Sequence, residues 1–198
     1  MRPHLLLFSL LLLLGCKKTA TRQELLAYTF EPNNGLCQKE ERNSNTIEAI
    51  YRPSDLILFQ QLNGSTWSSA QIDSLKTYYG RLDYFLLRLS RDGKEITISY
   101  AVDPSKFQQV NSYLGFEIGK DVFLVNQSDT IRVLDFIHTR TFGSSPSSDI
   151  LFAFKSGLKS RSGKVKLVFN DQRFGLGLNE FTFNCSDIKS APYIDFNK

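Results

Sequence analysis

Apolar residues recur at every second position over much of the chain. Ile47, Ala49 and Tyr51 alternate with polar neighbours, and so do Phe85, Leu87 and Leu89. The same period runs through Ile150, Phe152 and Phe154, through Val165, Leu167 and Phe169, and through Phe181, Phe183 and Cys185. A period of two sends successive side chains to opposite faces, so each stretch predicts a half-buried strand with its apolar side on a core. Asp92-Gly93 separates Tyr84–Arg91 from Glu95–Tyr100, where Ile96, Ile98 and Tyr100 share a phase, and this predicts a hairpin. Asp121 to Val125 predicts a strand that turns at Asn126 to Asp129. Ile131 and Val133 then keep one phase, while Leu134, Phe136 and His138 take the other. A slip of one residue predicts a bulge or bend. Leu56 to Leu62 is mostly apolar and is expected to be extended, closed by the turn Asn63-Gly64-Ser65.

Three stretches follow the helical period instead. Thr21-Arg22-Gln23-Glu24 reads as a capping box ahead of Leu25, Leu26 and Tyr28, with Pro32 as the stop and Asn33-Asn34-Gly35 as a turn. Ile72, Leu75, Tyr79 and Leu82 predict one inward face over Ser69–Leu82. Asp103-Pro104 predicts an N-cap followed by an N1 proline, with Phe107, Val110 and Leu114 behind it and Gly115 at the end. Gly143–Ser148 and Asp171–Gly177 read as loops. Turn signals every ten residues or so make the fold class mainly β. It is expected to be an antiparallel β-sandwich or open barrel of about seven or eight strands, with two or three short peripheral helices.

The first residues follow neither period. Arg2 precedes an almost unbroken leucine run, Leu5 to Leu14, which ends at Gly15-Cys16. A basic start, a short apolar core and a small residue at its end predict a secretory signal. Ten residues make about 15 Å of helix, half a bilayer core, so the run is too short to span. Leu13-Leu14-Gly15-Cys16 resembles the bacterial lipobox, in which the cysteine is acylated and becomes the new N-terminus. An ordinary signal with a chance cysteine would carry the same leucines. Gly-Cys stands where the apolar run ends and charge begins, at Lys17 and Lys18, and that favours lipidation of Cys16. The expected division is a signal peptide over 1–15, a lipidated tether with a short helix over 16–45, and a single β-rich domain over 46–198. Without residues 1–15, 183 of the 198 residues remain, enough for one cored domain.

Composition narrows the chemistry. Sixteen Phe and eight Tyr against one Trp suit a pleated, half-buried core. The net charge of +4 falls to +3 without Arg2, too balanced to argue for a nucleic-acid partner. Of two histidines, His4 leaves with the signal, so His138 stands alone and a multi-histidine zinc site within one chain is excluded. No metal and no cofactor is expected. Of three cysteines, Cys16 takes lipid. Cys37 and Cys185 then form an even pair in an oxidising compartment. They are either a disulfide closing a loop of roughly 150 residues, with about 5 kcal/mol of loop entropy, or two unpaired thiols with one buried.

No catalytic residue is expected. Asp135, His138 and the serines at 144, 145, 147 and 148 allow a Ser-His-Asp set to be written, but no Gly-x-Ser-x-Gly elbow supports it. In a strand, positions 135 and 138 face opposite ways. The carboxylates Asp83, Asp92, Glu95, Asp171, Glu180, Asp187 and Asp195 are scattered, and most sit where turns favour aspartate. Lys155, Lys159, Arg161, Lys164 and Lys166 form the densest basic patch. It reads as a contact for anionic headgroups or as a solvated hairpin whose charges prevent edge pairing, the second being favoured. Asp73-Ser74-Leu75 and Asp129-Thr130-Ile131 look like the Asp-Ser/Thr-apolar acceptor of protein O-glycosylation in Bacteroidetes. Thr130, in a turn, is the better placed of the two.

Three further motifs carry a family resemblance. Pro32-Asn33-Asn34-Gly35-Leu36, Tyr51-Arg52-Pro53 and the closing Gly175-Leu176-Gly177-Leu178-Asn179-Glu180-Phe181-Thr182-Phe183 resemble small uncharacterised envelope lipoproteins of Bacteroidetes. Asn33 departs from the glutamate usual at its place. The resemblance implies an envelope location and no activity. The expectation is therefore a membrane-anchored, non-catalytic interaction or structural module. It would be held through Cys16, at the outer membrane facing the periplasm, with other envelope proteins or glycans as partners. The alternative is a module for a glycan or hydrophobic ligand, with Trp67, Tyr78 or Tyr79 at the mouth of a pocket. A hydrolase has no motif in its support.

Overall fold

The computed structural model describes residues 19–62, 66–127 and 129–196. The predicted signal peptide 1–15, Cys16, Lys17 and Lys18 lie outside the described residues, as do the predicted turn at 63–65 and residue 128.

The alternating stretches pair through their backbones into two antiparallel sheets, whose apolar faces pack on each other. The first orders β2 (Cys37–Arg42), β3 (Asn45–Arg52), β4 (Asp83–Arg91), β9 (Ser148–Phe154) and β8 (Asp135–Thr139), with β5 (Lys94–Glu95) paired to β4. The second orders β11 (Leu178–Asn184), β10 (Lys164–Asn170), β6 (Val122–Asn126) and β7 (Asp129–Arg132). A separate parallel pair joins β1 (Thr19–Ala20) to β12 (Tyr193–Ile194). The protein is thus mainly β, a sandwich without barrel closure, as the alternation predicts. Its core is the set of inward positions read from the period: Tyr51, Phe85, Leu87, Phe152, Phe154, Leu167, Phe169, Phe181 and Phe183 are all buried in one cluster. The aromatic-rich composition is spent here, in edge-to-face pairs such as Phe85–Phe183 at 5.2 Å.

Both open sides of the sandwich are held. On one, β7 in the second sheet ends at Arg132 and β8 in the first begins at Asp135. The phase slip between Val133 and Leu134 is the chain crossing from one sheet to the other, a larger change than the predicted bulge. On the other side, Gln38 of edge strand β2 reaches Thr182 of edge strand β11. Its amide nitrogen donates to the Thr182 carbonyl, and its Oε1 accepts from the Thr182 N–H at 3.0 Å. The side-chain amide does there what a neighbouring strand's peptide would do.

Helices cover the outer face of the first sheet. In α1 (Arg22–Phe30) the capping box forms as expected, with Thr21 Oγ1 accepting from the Glu24 N–H and the Glu24 carboxylate accepting from the Thr21 N–H. Leu25 of α1, Leu56 of α2 (Ser54–Gln61) and Ile194 make a second small core. Leu56–Leu62 is therefore helical, against the extended expectation. A short apolar run such as Leu56–Phe59 suits a helix packed between a sheet and other elements as well as it suits a strand, and the exposed Gln60 and Gln61 fall on the open side of that helix. Asp55 ties this layer to the C-terminus by accepting from the Ile194 N–H at 2.7 Å. α3 (Ser69–Tyr79) turns Ile72 inward with Leu75 and Tyr79 half-buried, and it ends at Gly80, short of the predicted Leu82.

Other departures have local causes. The hairpin after Asp92-Gly93 lasts only for Lys94 and Glu95 and then becomes a 3-10 helix, Ile96–Tyr100. Glu95 pairs with Ser90, and the next position along that flank of β4, Leu89, is already paired with Ser148 of β9. The flank is occupied, so the hairpin has nowhere to extend. α4 (Pro104–Ser112) is capped by Asp103, whose carboxylate accepts from the N–H groups of Ser105 and Lys106. It continues past the predicted stop at Gly115 as a π-turn over Tyr113–Glu117. Cys185 opens α5 (Cys185–Ser190) instead of ending β11, yet it is buried as expected. Residues 19–45 are integral to the fold, since Leu25 is buried and β2 pairs with β3 along its length.

A buried carboxylate locks one end of the sandwich. Asp83 accepts from Tyr51 Oη at 3.0 Å, Ser156 Oγ at 2.7 Å and the Leu158 N–H at 2.9 Å. Burial and the neighbouring carboxylate push the Tyr51 phenol well above the ordinary tyrosine range.

Candidate functional site

The register of the first sheet places two rows across its outer face. Ile50, Leu86, Leu151 and Ile137 stand opposite one another on β3, β4, β9 and β8, an apolar row. One pleat further along lie Lys39, Glu48, Arg88, Asp149 and Thr139, a row of alternating charge. α1 and α2 cover the row only in part. Ile50 and Leu86 are buried, whereas Ile137 is 62% exposed. A groove of about 490 Å³ runs along that margin, within the size range of small-molecule sites. Leu86, Leu151 and Ile137 form its floor, and Leu26, Phe30 and Ile57 from the helices form a wall.

Three guanidiniums face this groove: Arg22, Arg52 and Arg88. The Arg88 and Arg52 guanidiniums lie 4.7 and 6.0 Å from the Phe30 ring centroid, and Arg22 lies over Phe59 at 5.2 Å. Arg88 is neutralised by Asp149 at 3.2 Å and Glu48 at 3.7 Å. Arg52 is only part-exposed and has no carboxylate within ion-pair distance among the described residues. Burial holds its pKa below the ordinary arginine value, and the Arg88 and Arg22 charges push the same way while Asp149 opposes them. It stays charged, and that direction reflects how unfavourably the cation is placed. The groove therefore combines an aliphatic floor with cationic groups that the protein does not itself neutralise.

The residues singled out from the sequence lie elsewhere. Within the basic patch, Arg161 is engaged by the Ser156 carbonyl, Asn126 and Asp129, and Lys166 by Glu180 at 2.7 Å. Lys159 approaches the Ser54 hydroxyl at 3.4 Å, and Lys155 and Lys164 are exposed. Ser74 is exposed on α3, and Thr130 is exposed on the edge strand β7 opposite Val125. Trp67, Tyr78 and Tyr79 do not line the groove. Cys37 and Cys185 are free thiols. Cys37 pairs with Ile50 in the first sheet, and Cys185 follows β11 of the second. Burial pushes both thiols up, which keeps them protonated and unreactive.

His138 is opposite Ile150 on the inner face of β8, while Asp135 is opposite Ala153 on the outer face. Ser144 and Ser147 are engaged by the Thr141 carbonyl and Asp149. Ser148 is 1% exposed and lies two positions from Ile150 on the inner face. The hydroxyl of Ser148, Nδ1 of His138 and Oε1 of Glu95 are buried without a partner in the protein. Burial, together with Arg140, holds the His138 imidazole below the ordinary histidine value. Among the described residues no group of three histidine, cysteine or acidic side chains is placed to hold a metal ion, and no helix is long and apolar enough to cross a membrane.

Set against known proteins, the chain matches no family model, no curated protein sequence and no solved structure. Its site has to be read from its own geometry. The groove arginines escape a reading of the sequence because they are dispersed along the chain and come together only through strand register and the packing of α1. Glu48, Arg88 and Asp149 stand on the outward phase of their strands, where charge is ordinary, so the sequence carries no signal for the groove.

Proposed function

We propose that this protein is a lipid-anchored module of the cell envelope whose β-sandwich binds a ligand without transforming it, with the arginine groove as its contact surface. The observation that carries the binding half is Arg52. A charge taken partly out of water calls for a partner, and Arg52 shares its groove with two more guanidiniums, while the one carboxylate of the lining, Asp149, is held by Arg88. An anion from outside relieves that arrangement. The anchoring half rests on the lipobox-like Leu13-Leu14-Gly15-Cys16 and on Lys17-Lys18 in place of an acidic retention signal. These favour the outer membrane, facing the periplasm. Two or more acyl chains on one cysteine suffice for stable anchoring.

Fractionation tests the anchor. The native chain is expected in the membrane pellet and Cys16→Ser in the soluble fraction, with the mass of the native N-terminal peptide raised by its acyl chains. Equal partition of the two proteins overturns the anchored reading.

A further inference from the structure

We infer that the groove holds a single anionic amphiphile, its headgroup between Arg52 and Arg22 and its apolar chain along Leu86, Leu151 and Ile137. The inference rests on the reading of the domain as a binding module and names the class of ligand. The headgroup follows from charge. Asp149 and Glu48 both lie on Arg88, so the groove's remaining positive charge belongs to Arg22 and Arg52. Guanidiniums prefer planar or tetrahedral oxyanions, which they bind through paired N–H donors. The chain follows from the floor. Leu86, Leu151 and Ile137 stand on adjacent strands, so the row is about 10 Å long at the ordinary strand spacing. Its far end, Ile137, lies open to solvent on an edge strand. Gln60, Gln61 and Thr139 also line the groove and could serve a neutral glycan, but such a ligand would leave Arg22 and Arg52 without a counter-charge. A free inorganic anion would leave the floor unused.

Position agrees with a lipidic source. Arg22 follows Cys16 by six residues, at most about 20 Å of extended chain. An anchored Cys16 keeps the cationic end of the groove within reach of headgroups and of amphiphiles leaving the bilayer.

Titration calorimetry on the full-length Cys16→Ser chain tests this with three probes. Dodecyl phosphate below its micellar concentration is expected to bind at one per chain. Inorganic phosphate, which has the head without the tail, is expected to give no measurable heat. Dodecyltrimethylammonium, the same tail on a cation, is expected to bind at least tenfold more weakly. Arg52→Gln should weaken dodecyl phosphate about tenfold, the usual size of one lost charge-assisted contact, while leaving the melting temperature unchanged. Ile137→Glu, at an exposed position, should remove the tail site by the same criterion. Equal affinity for the cationic amphiphile, or for inorganic phosphate, overturns the inference, and so does unchanged binding by both variants. The module reading fails separately: photo-cross-linking from position 137 in cells would then yield no adduct. An adduct with a protein or a glycan, together with no binding of dodecyl phosphate, leaves the module standing and discards the amphiphile.

Discussion

Phe85→Ala is expected to lower the stability of the domain by about 4 kcal/mol, and by an amount no surface substitution approaches. Phe85 is wholly buried on β4. Its ring meets Tyr51 of β3 at 5.3 Å, Phe154 of β9 at 5.8 Å and Phe183 of β11 at 5.2 Å, each edge to face. Two of those contacts lie within its own sheet and the third is across the sandwich. Truncation therefore loses the transfer energy of the ring, leaves a cavity at the junction of the sheets and removes three oriented aromatic pairs. For a domain of this size the melting temperature should fall by roughly 10 °C. Phe85→Leu, which fills part of the space, should cost less than half as much. Urea denaturation of both variants checks the order. A loss below about 1 kcal/mol for Phe85→Ala would mean that the two sheets do not meet over this ring.

Asp83→Ala should be nearly as damaging for a different reason. Its carboxylate is the acceptor for Tyr51 Oη, Ser156 Oγ and the Leu158 N–H, all in the interior. Removing it leaves three buried donors without a partner, each costing about 1–3 kcal/mol, and about 4 kcal/mol together is expected once water enters part of the gap. Asp83→Asn keeps one acceptor oxygen, so it should retain more of the stability than Asp83→Ala does. Amide exchange at Leu158 reports the event locally. Its protection should collapse in Asp83→Ala further than at Val168, in the middle of β10. Uniform loss of protection at both sites would place the damage elsewhere.

How far the sequence reaches can be judged from these same residues. Phe85 and its partners Phe154 and Phe183 were visible as inward positions because the period of a strand is a local property, carried by the side chains themselves. The capping box at Thr21–Glu24 and the N-cap at Asp103 were equally local and formed as read. Elsewhere the outcome depends on what lies beside a segment. Leu56–Leu62 is a helix because a sheet and a second helix enclose it, and its composition alone does not choose. Glu95–Tyr100 leaves the hairpin because β9 occupies the flank it would need. Val133–Leu134 looks like a bulge in the chain and is a crossing between sheets in space. β2 was invisible because Gln38, Glu40 and Arg42 carry no apolar signal, although Gln38 is the residue that joins the sheet edges. The groove belongs to the same class. Register sets Leu86 beside Leu151 and Ile137, α1 brings Arg22, and no contiguous motif contains more than one of the arginines.

The most direct test of the account takes a photoreactive residue at position 137 of the full-length protein in living cells, with position 178 as control. Leu178 is exposed on β11, in the other sheet. Irradiation is predicted to produce an adduct from position 137 whose mass is that of one anionic amphiphile, none from position 178, and markedly less from position 137 when Arg52→Gln is also present. An absence of adducts from position 137, or the same yield with and without Arg52, would contradict the claim that this groove is the site through which the protein works.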